Sequence, residues 1–337
     1  EAARFYYSTL YTSAGEKGLK YLHSRQLSDR TIRHFGLGFA DDNWSSLCNH
    51  LKSKGFKENE LVSANLAVKR KNGNGIYDRF TNRVMFPIQD INHRVIGFGG
   101  RIIKNDPNAA KYLNSPETSI FNKRKNLFGL NLAKKSKQGY LILVEGNIDV
   151  VALHQYGFDN AIASLGTSLT EEQAALMTRY ADQIVLIYDG DKAGQNATQR
   201  AIPILEKAGL HVKVLQIKDA KDPDEFLKKF GADKFKLLLE DSSNRVEYQL
   251  NAILKKYDLR DDDQKVKYLQ ESAELICTLS SSVQREVYSG RVAETAKISM
   301  EAMKMEVGRA FKRRIAREKK KQEKIDLAPA KNRQPQV

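Results

Sequence analysis

Residues 140–149 read Tyr-Leu-Ile-Leu-Val-Glu-Gly-Asn-Ile-Asp, and this stretch decides the fold class. Tyr140–Val144 is a short, continuous apolar run of the kind buried on both faces of a parallel sheet. Similar runs follow at Ala161–Ser164, Ile184–Tyr188 and Val212–Gln216. Between them, Ile148–Tyr156, Glu171–Tyr180 and Ala193–Ala208 have helical character. Thr170 with Gln173 three residues later is a capping box that starts the second of these helices. Strand alternating with helix predicts right-handed βαβ units, and so an α/β domain with a parallel sheet over residues 126–243.

Outward from this domain the texture changes. Residues 1–125 are basic and aromatic, with helix signals at Gly18–Gln26 and Ser28–Phe35. Asn72-Gly73-Asn74-Gly75 and Gly97-Phe98-Gly99-Gly100 read as turns. Arg83–Ile88 and Arg94–Phe98, separated by Asp90-Ile91-Asn92-His93, predict a hairpin within an α+β subdomain. Trp44 is expected to pack in the core. From residue 244 to 318 the pattern is helical: Val246, Leu250, Ile253 and Tyr257 recur at turn spacing. So do Val266, Leu269, Ala273 and Ile276, and later Met300, Met303, Val307, Phe311 and Ile315. A bundle of three or four helices is expected, followed by a polar linker over 319–337.

Composition limits the function. Of 337 residues, 56 are Lys or Arg and 41 are Asp or Glu, a net charge of +15 that favours a polyanionic partner. No apolar run is long enough to span a membrane, and no signal-peptide core opens the chain. Cys48 and Cys277 stand far apart, so neither a disulfide scaffold nor a structural zinc site is expected, and a reduced, cytoplasmic setting is. The chain starts at Glu1 without Met, which suggests a piece of a longer protein.

The chemistry lies in carboxylates at strand ends, where open parallel sheets bind ligands. Glu145 follows the first strand, Gly146 allows a tight turn or close approach, and Asp149 lies one helical turn on. Asp189 and Asp191 follow the third strand, and Asp222 and Asp224 the fourth. At ~4 Å and an effective dielectric near 20, each like-charged pair costs about 4 kcal/mol. An all-oxygen set that needs such relief suits Mg²⁺ or Mn²⁺ better than Zn²⁺. Any one of these residues alone could be a helix cap or a solvated loop residue. No Walker A sequence and no hydrolase triad spacing is present.

Glu145-Gly146-Asn147-Ile148-Asp149, Ala163-Ser164-Leu165-Gly166-Thr167, Tyr188-Asp189-Gly190-Asp191 and Asp222-Pro223-Asp224 resemble a Toprim domain. Tyr77-Asp78-Arg79-Phe80, Arg83–Ile88, Val95–Arg101 and Lys111–Thr118, with Tyr21-Leu22 and Arg25-Gln26-Leu27-Ser28, resemble the bacterial DnaG-type primases, which usually have Gly where Gln26 stands. The resemblance runs from about Tyr21 to Asp224. It implies an RNA polymerase core that makes short RNA primers on single-stranded DNA from nucleoside triphosphates. It also implies that the family's zinc-binding and helicase-binding domains are missing, and that the chain is a monomer. Replicative helicase and single-strand-binding protein would be met through the full-length chain, in the bacterial cytoplasm at the nucleoid. Glu145, Asp189 and Asp191 would hold the catalytic Mg²⁺, with Asp149, Asp222 and Asp224 in the same acidic patch. Glu145 is also a candidate general acid/base.

By the same resemblance, Lys111, Asn114 and Arg79 would contact the nucleotide. Arg25, Arg83, Arg101, Lys123, Arg124 and Lys125 would form a basic track for the template. Two rival readings remain. A Toprim topoisomerase or nuclease would lack a use for the Lys111–Thr118 motif, and a non-catalytic single-strand-binding module would leave the six carboxylates without a role.

Overall fold

The computed structural model describes residues 1–326 except 71–72, 104–108, 167, 218, 241 and 280. Asn72, Thr167 and residues 327–337 of the expectations above therefore lie outside the described residues. The chain separates into two compact units, Glu1–Ser242 and Ser243–Val337.

The first unit carries β1 (Gly38–Ala40), β2 (Ala67–Lys69), β3 (Ile76–Asp78), β4 (Arg83–Gln89), β5 (Val95–Ile102) and β6 (Tyr112–Asn114). Of these, β1, β4, β5 and β6 form an antiparallel sheet in that order, and β2 pairs with β3. The expected hairpin is β4–β5, with a register shift at Ile88/Gln89. After it come β7 (Tyr140–Val144), β8 (Ala161–Ala163), β9 (Gln183–Ile187) and β10 (His211–Val214), parallel and in the order β10-β9-β7-β8. Every residue of β7 after Tyr140 and of β9 after Gln183 is buried, as the continuous apolar runs require.

One apolar core joins Phe35, Phe39, Val84 and Phe86 of the antiparallel region to Ile142, Val144, Val151 and Val185 of the parallel one. The border near residue 125 thus lies inside a single compact unit. The Thr170/Gln173 capping box forms, and it does more than start the helix Glu171–Met177. Gln173 Nε2 donates to the carbonyls of Lys123 and Asn126 at 2.9 Å each, and Thr170 Oγ1 donates to that of Arg124 at 2.7 Å. The basic turn Lys123–Lys125 is pinned to the start of that helix by these bonds.

The second unit contains the helices Arg245–Leu254, Asp262–Ile276, Ser282–Ala296 and Met300–Asp326. Its core holds Leu250, Ile253, Tyr268, Ala273, Ile276, Met303 and Val307. Val266, Phe311 and Ile315, expected on the apolar stripe, are exposed, and Tyr268 is buried where Val266 was expected. Residues 319–326 continue the last helix rather than opening a linker. Lys, Glu and Gln are good helix formers, so a polar composition there is no barrier to helix. Trp44 is exposed and packs its ring 5.6 Å from that of Tyr77 instead of entering the core.

Candidate active site

The carboxyl ends of β7 and β9 open into a cleft of about 570 Å³. Its lining brings together Glu145, Asp149, Asp189, Asp222 and Asp224 with Arg25, Arg101, Lys111 and Asn114. Glu145 leaves β7 where the sheet ends, and its Oε1 accepts the backbone N–H of Asp189 at 3.1 Å, tying the ends of two neighbouring strands together. Gly146 is required for space rather than for an unusual φ. A Cβ there would stand 2.6 Å from Asp149 Oδ2. Asp149 lies in the first turn of the helix Asn147–Gln155 and is buried, with Oδ1 lacking a hydrogen-bond partner among the described residues.

These carboxyls feel one another. Burial, then repulsion from Asp222, Asp224 and Asp189, pushes Asp149 well above the usual carboxylate range. Partial burial, with repulsion from Asp189 and Asp191, raises Glu145. Asp189 is raised by burial and by Asp222 and Asp191, against the pull of Lys221 and Lys111.

The other expected ligands are partly committed. Asp191 Oδ1 accepts Gly194 N–H at 2.8 Å and caps the helix Lys192–Lys207, and Asp191 does not line the cleft. Asp189 and Asp191 lie beyond the end of β9 at Ile187, and both act on the Glu145 carboxyl. Asp222 Oδ1 accepts Glu225 N–H at 2.8 Å. Asp224 is buried, and its Oδ2 accepts from Arg25 Nη1 at 2.9 Å and Lys228 Nζ at 2.6 Å. Among the described residues no three His, Cys, Asp or Glu side chains stand ready to close on one ion. The donor chemistry nevertheless fits a hard divalent cation. The set is all oxygen, it is mutually repelling, and it includes a buried oxygen without a partner.

The cations divide more sharply. Lys111 is exposed on the cleft, with its Nζ 5.8 Å from the centre of the Tyr112 ring. Arg101 is buried between the rings of Tyr21 (4.6 Å) and Tyr112 (5.6 Å), and its Nε and Nη1 have no partner among the described residues. Arg25 is steered by Tyr21, whose hydroxyl accepts from Nε at 3.2 Å, toward Asp224. Asn114 is a tether: its Nδ2 donates to the carbonyl of Leu165 at 3.0 Å. Gly99 makes room for this, since a Cβ there would meet Asn114 Oδ1 at 2.9 Å and Asn147 Nδ2 at 2.8 Å.

Arg79, Arg83, Lys123, Arg124 and Lys125 do not line the cleft. Arg83 in particular is a correction to the template track. It is buried inside β4, and its Nη1 donates to the carbonyls of Gly100 (3.2 Å) and Ala110 (2.9 Å). Arg79 Nη2 donates to Asn65 Oδ1 at 3.2 Å, and Arg124 pairs with Glu172 at 3.6 Å. Tyr112, Lys221 and Lys228 line the cleft and were not foreseen. Tyr112 lay between two named residues, and Lys228 stands one helical turn after Asp224, so both carried a signal.

Comparison with known proteins accords with this geometry. The family profile described as "DNA primase catalytic core, N-terminal domain" matches residues 5–134, and a "Toprim-like" profile matches 142–227. The structure is similar to that titled "Crystal structure of a DNA primase domain from Pseudomonas aeruginosa", with TM-score 0.74 and 33% identity over 91% of this chain and 97% of that one. The chain belongs to the DnaG-type bacterial DNA primases. A structure titled "Structure of the DnaG primase catalytic domain bound to ssDNA" aligns with TM-score 0.74 and 34% identity, over 89% of this chain and 95% of that one. A DNA primase of Clostridium acetobutylicum is 43% identical over 304 residues, 90% of this chain and 50% of the relative. The chain spans about half the length of the curated relatives it matches.

A third profile, "DnaB-helicase binding domain of primase", matches residues 246–301 and corrects the expectation that a helicase-binding segment is missing. The helical third carries only an amphipathic stripe, which packing alone explains and which does not distinguish one bundle from another. Among the described residues no helix is long and apolar enough to cross a membrane.

Proposed function

We propose that this chain is the RNA-synthesising core of a primase, joining nucleoside triphosphates into a short RNA on a single-stranded DNA template. The observation that carries the reading is the cleft itself, in which carboxylates from the ends of β7 and β9 face Lys111 and Arg101 across a space large enough for a triphosphate. The family's solved core bound to single-stranded DNA supports the choice of template.

Glu145 and Asp189 would hold the divalent ion, Mg²⁺ or Mn²⁺, with Asp191, Asp149 and Asp222 completing the acidic surround. When bound, such an ion acidifies an attacking 3′-hydroxyl and offsets charge on the phosphates. Lys111 offers a point charge to the triphosphate. Arg101 lies against the rings of Tyr21 and Tyr112 at the wall of the cleft and adds a fixed positive charge facing the triphosphate. Asn114 keeps the Ser164–Gly166 loop in place beside the incoming nucleotide. Lys123, Arg124 and Lys125, held as one turn by Gln173 and Thr170, serve the template. In the bacterial cell the longer protein would meet its replicative helicase in part through residues 246–301.

Incorporation of labelled ribonucleotides on a single-stranded template, with and without Mg²⁺, tests the reading. Template-dependent RNA that disappears in EDTA is expected. Binding of single strand without any synthesis would leave a binding module, and a covalent protein–DNA adduct would mark a topoisomerase.

A further inference from the structure

The acidic patch is not uniform. Asp224 has 2% of its side chain exposed, and one oxygen, Oδ2, accepts from both Arg25 and Lys228. Asp149 is buried beside it, makes no ion pair among the described residues and keeps Oδ1 unbonded. Glu145 accepts only the Asp189 backbone N–H among the described contacts. The protein's own cations thus pair directly with one end of the patch, while the other feels Lys111 and Lys221 only at a distance.

We propose that Lys228, with Arg25, is a resident counter-charge that keeps a divalent ion off Asp224. The ion is thereby confined to the side of Glu145, Asp149 and Asp189. The inference rests on the reading of this patch as a divalent-cation site. Two observations make Lys228 a positioning residue rather than a solvated surface lysine. Its side chain is only 19% exposed, and its partner reaches it from four residues away on the same helix, Pro223–Glu240, so the backbone presets the pair. Arg25, in turn, comes from 199 residues away and is aimed by Tyr21. Taking Asp224 for an ion would strand two cations in the cleft, and an unpaired charge in a poorly solvated site is costly. Binding at Asp149 strands nothing and removes repulsion.

This makes the role of Lys228 distinct from that of Lys221, which lines the same cleft. Either lysine weakens cation binding through its field, but of the two it is Lys228 that, with Arg25, occupies the Asp224 oxygen an ion would need.

The test is a Mn²⁺ titration followed by the paramagnetic resonance of the free ion, with no nucleotide or DNA present. Wild type is expected to bind Mn²⁺; if it binds none, both the cation-site reading and this inference fall. Lys228→Met should bind an additional ion, or bind tighter by at least about threefold, and more so than Lys221→Met. Lys228→Arg should restore the wild-type curve. Asp224→Asn should keep the wild-type number of ions, because Asp224 is not a ligand while it is paired. In the Asp224→Asn background the gain from Lys228→Met should shrink to that of Lys221→Met, the field effect alone. Loss of a bound ion in Asp224→Asn overturns the inference alone, as does an equal gain from Lys228→Met with either residue at 224. Thermal melting of each variant identifies any that fail to fold, and the Asp224→Asn result decides the matter should Lys228→Met be among them.

Discussion

Asp149 beyond the end of β7 and Arg83 inside β4 are both charged and both buried, yet they are treated in opposite ways. Arg83 sits within a strand of the antiparallel sheet, and its Nη1 donates to two backbone carbonyls of its own unit. Asp149 sits past the end of a parallel strand, crowded by other carboxyls, and is left with an unbonded oxygen. The difference is topological. A parallel sheet releases its strands at one edge, so whatever follows each strand collects there and cannot be absorbed by the ladder. A charge inside an antiparallel strand lies among neighbours whose backbone groups can satisfy it.

The comparison breaks most visibly at its acidic end. Glu145→Gln or Asp189→Asn is expected to lower primer synthesis by about a hundredfold or more, as loss of a principal electrostatic contact does. Because each substitution removes repulsion, melting temperature in EDTA should hold or rise slightly. Near-wild-type synthesis in either variant would end the assignment.

Lys111→Ala should cost on the order of 1.5–3 kcal/mol in nucleoside triphosphate affinity, or about ten- to a hundredfold. Single-strand affinity should fall only several-fold. Separate titrations of triphosphate and single strand decide it; a larger loss on the template side would move Lys111 to the template track.

Arg83→Ala sharpens the other arm. It should destabilise the fold by about 2–3 kcal/mol, since two carbonyls lose a buried charged donor. The salt dependence of single-strand binding should be unchanged. Urea denaturation and a salt titration together test this, and a stable variant with weakened template binding would restore Arg83 to the track.

The smallest effect belongs to Arg124→Ala. Its pair with Glu172 is open to water, so stability should shift by less than about 1 kcal/mol. If the turn contacts one phosphate, the slope of log affinity against log salt should flatten by about 0.7. An unchanged slope would show that the turn stands off the template.

The sequence by itself determined the parallel sheet, because runs such as Tyr140–Val144 can be buried on both faces only in that setting. It determined the positions of Glu145, Asp149 and Asp189 for the same reason: the residue after such a strand has nowhere to go but the edge. It also placed the Thr170/Gln173 cap, which depends on spacing three residues apart. Tertiary structure alone decided the fate of the cations, since a lysine or arginine stem reaches partners far away in sequence. Arg25 meets Asp224 across 199 residues, Arg83 turns to Ala110, and Arg101 is trapped between two tyrosines. It alone gave one oxygen of Asp191 to a helix cap. Carboxylate positions follow from local strand endings, whereas the pairing of long cationic side chains follows from which distant segments the core brings together.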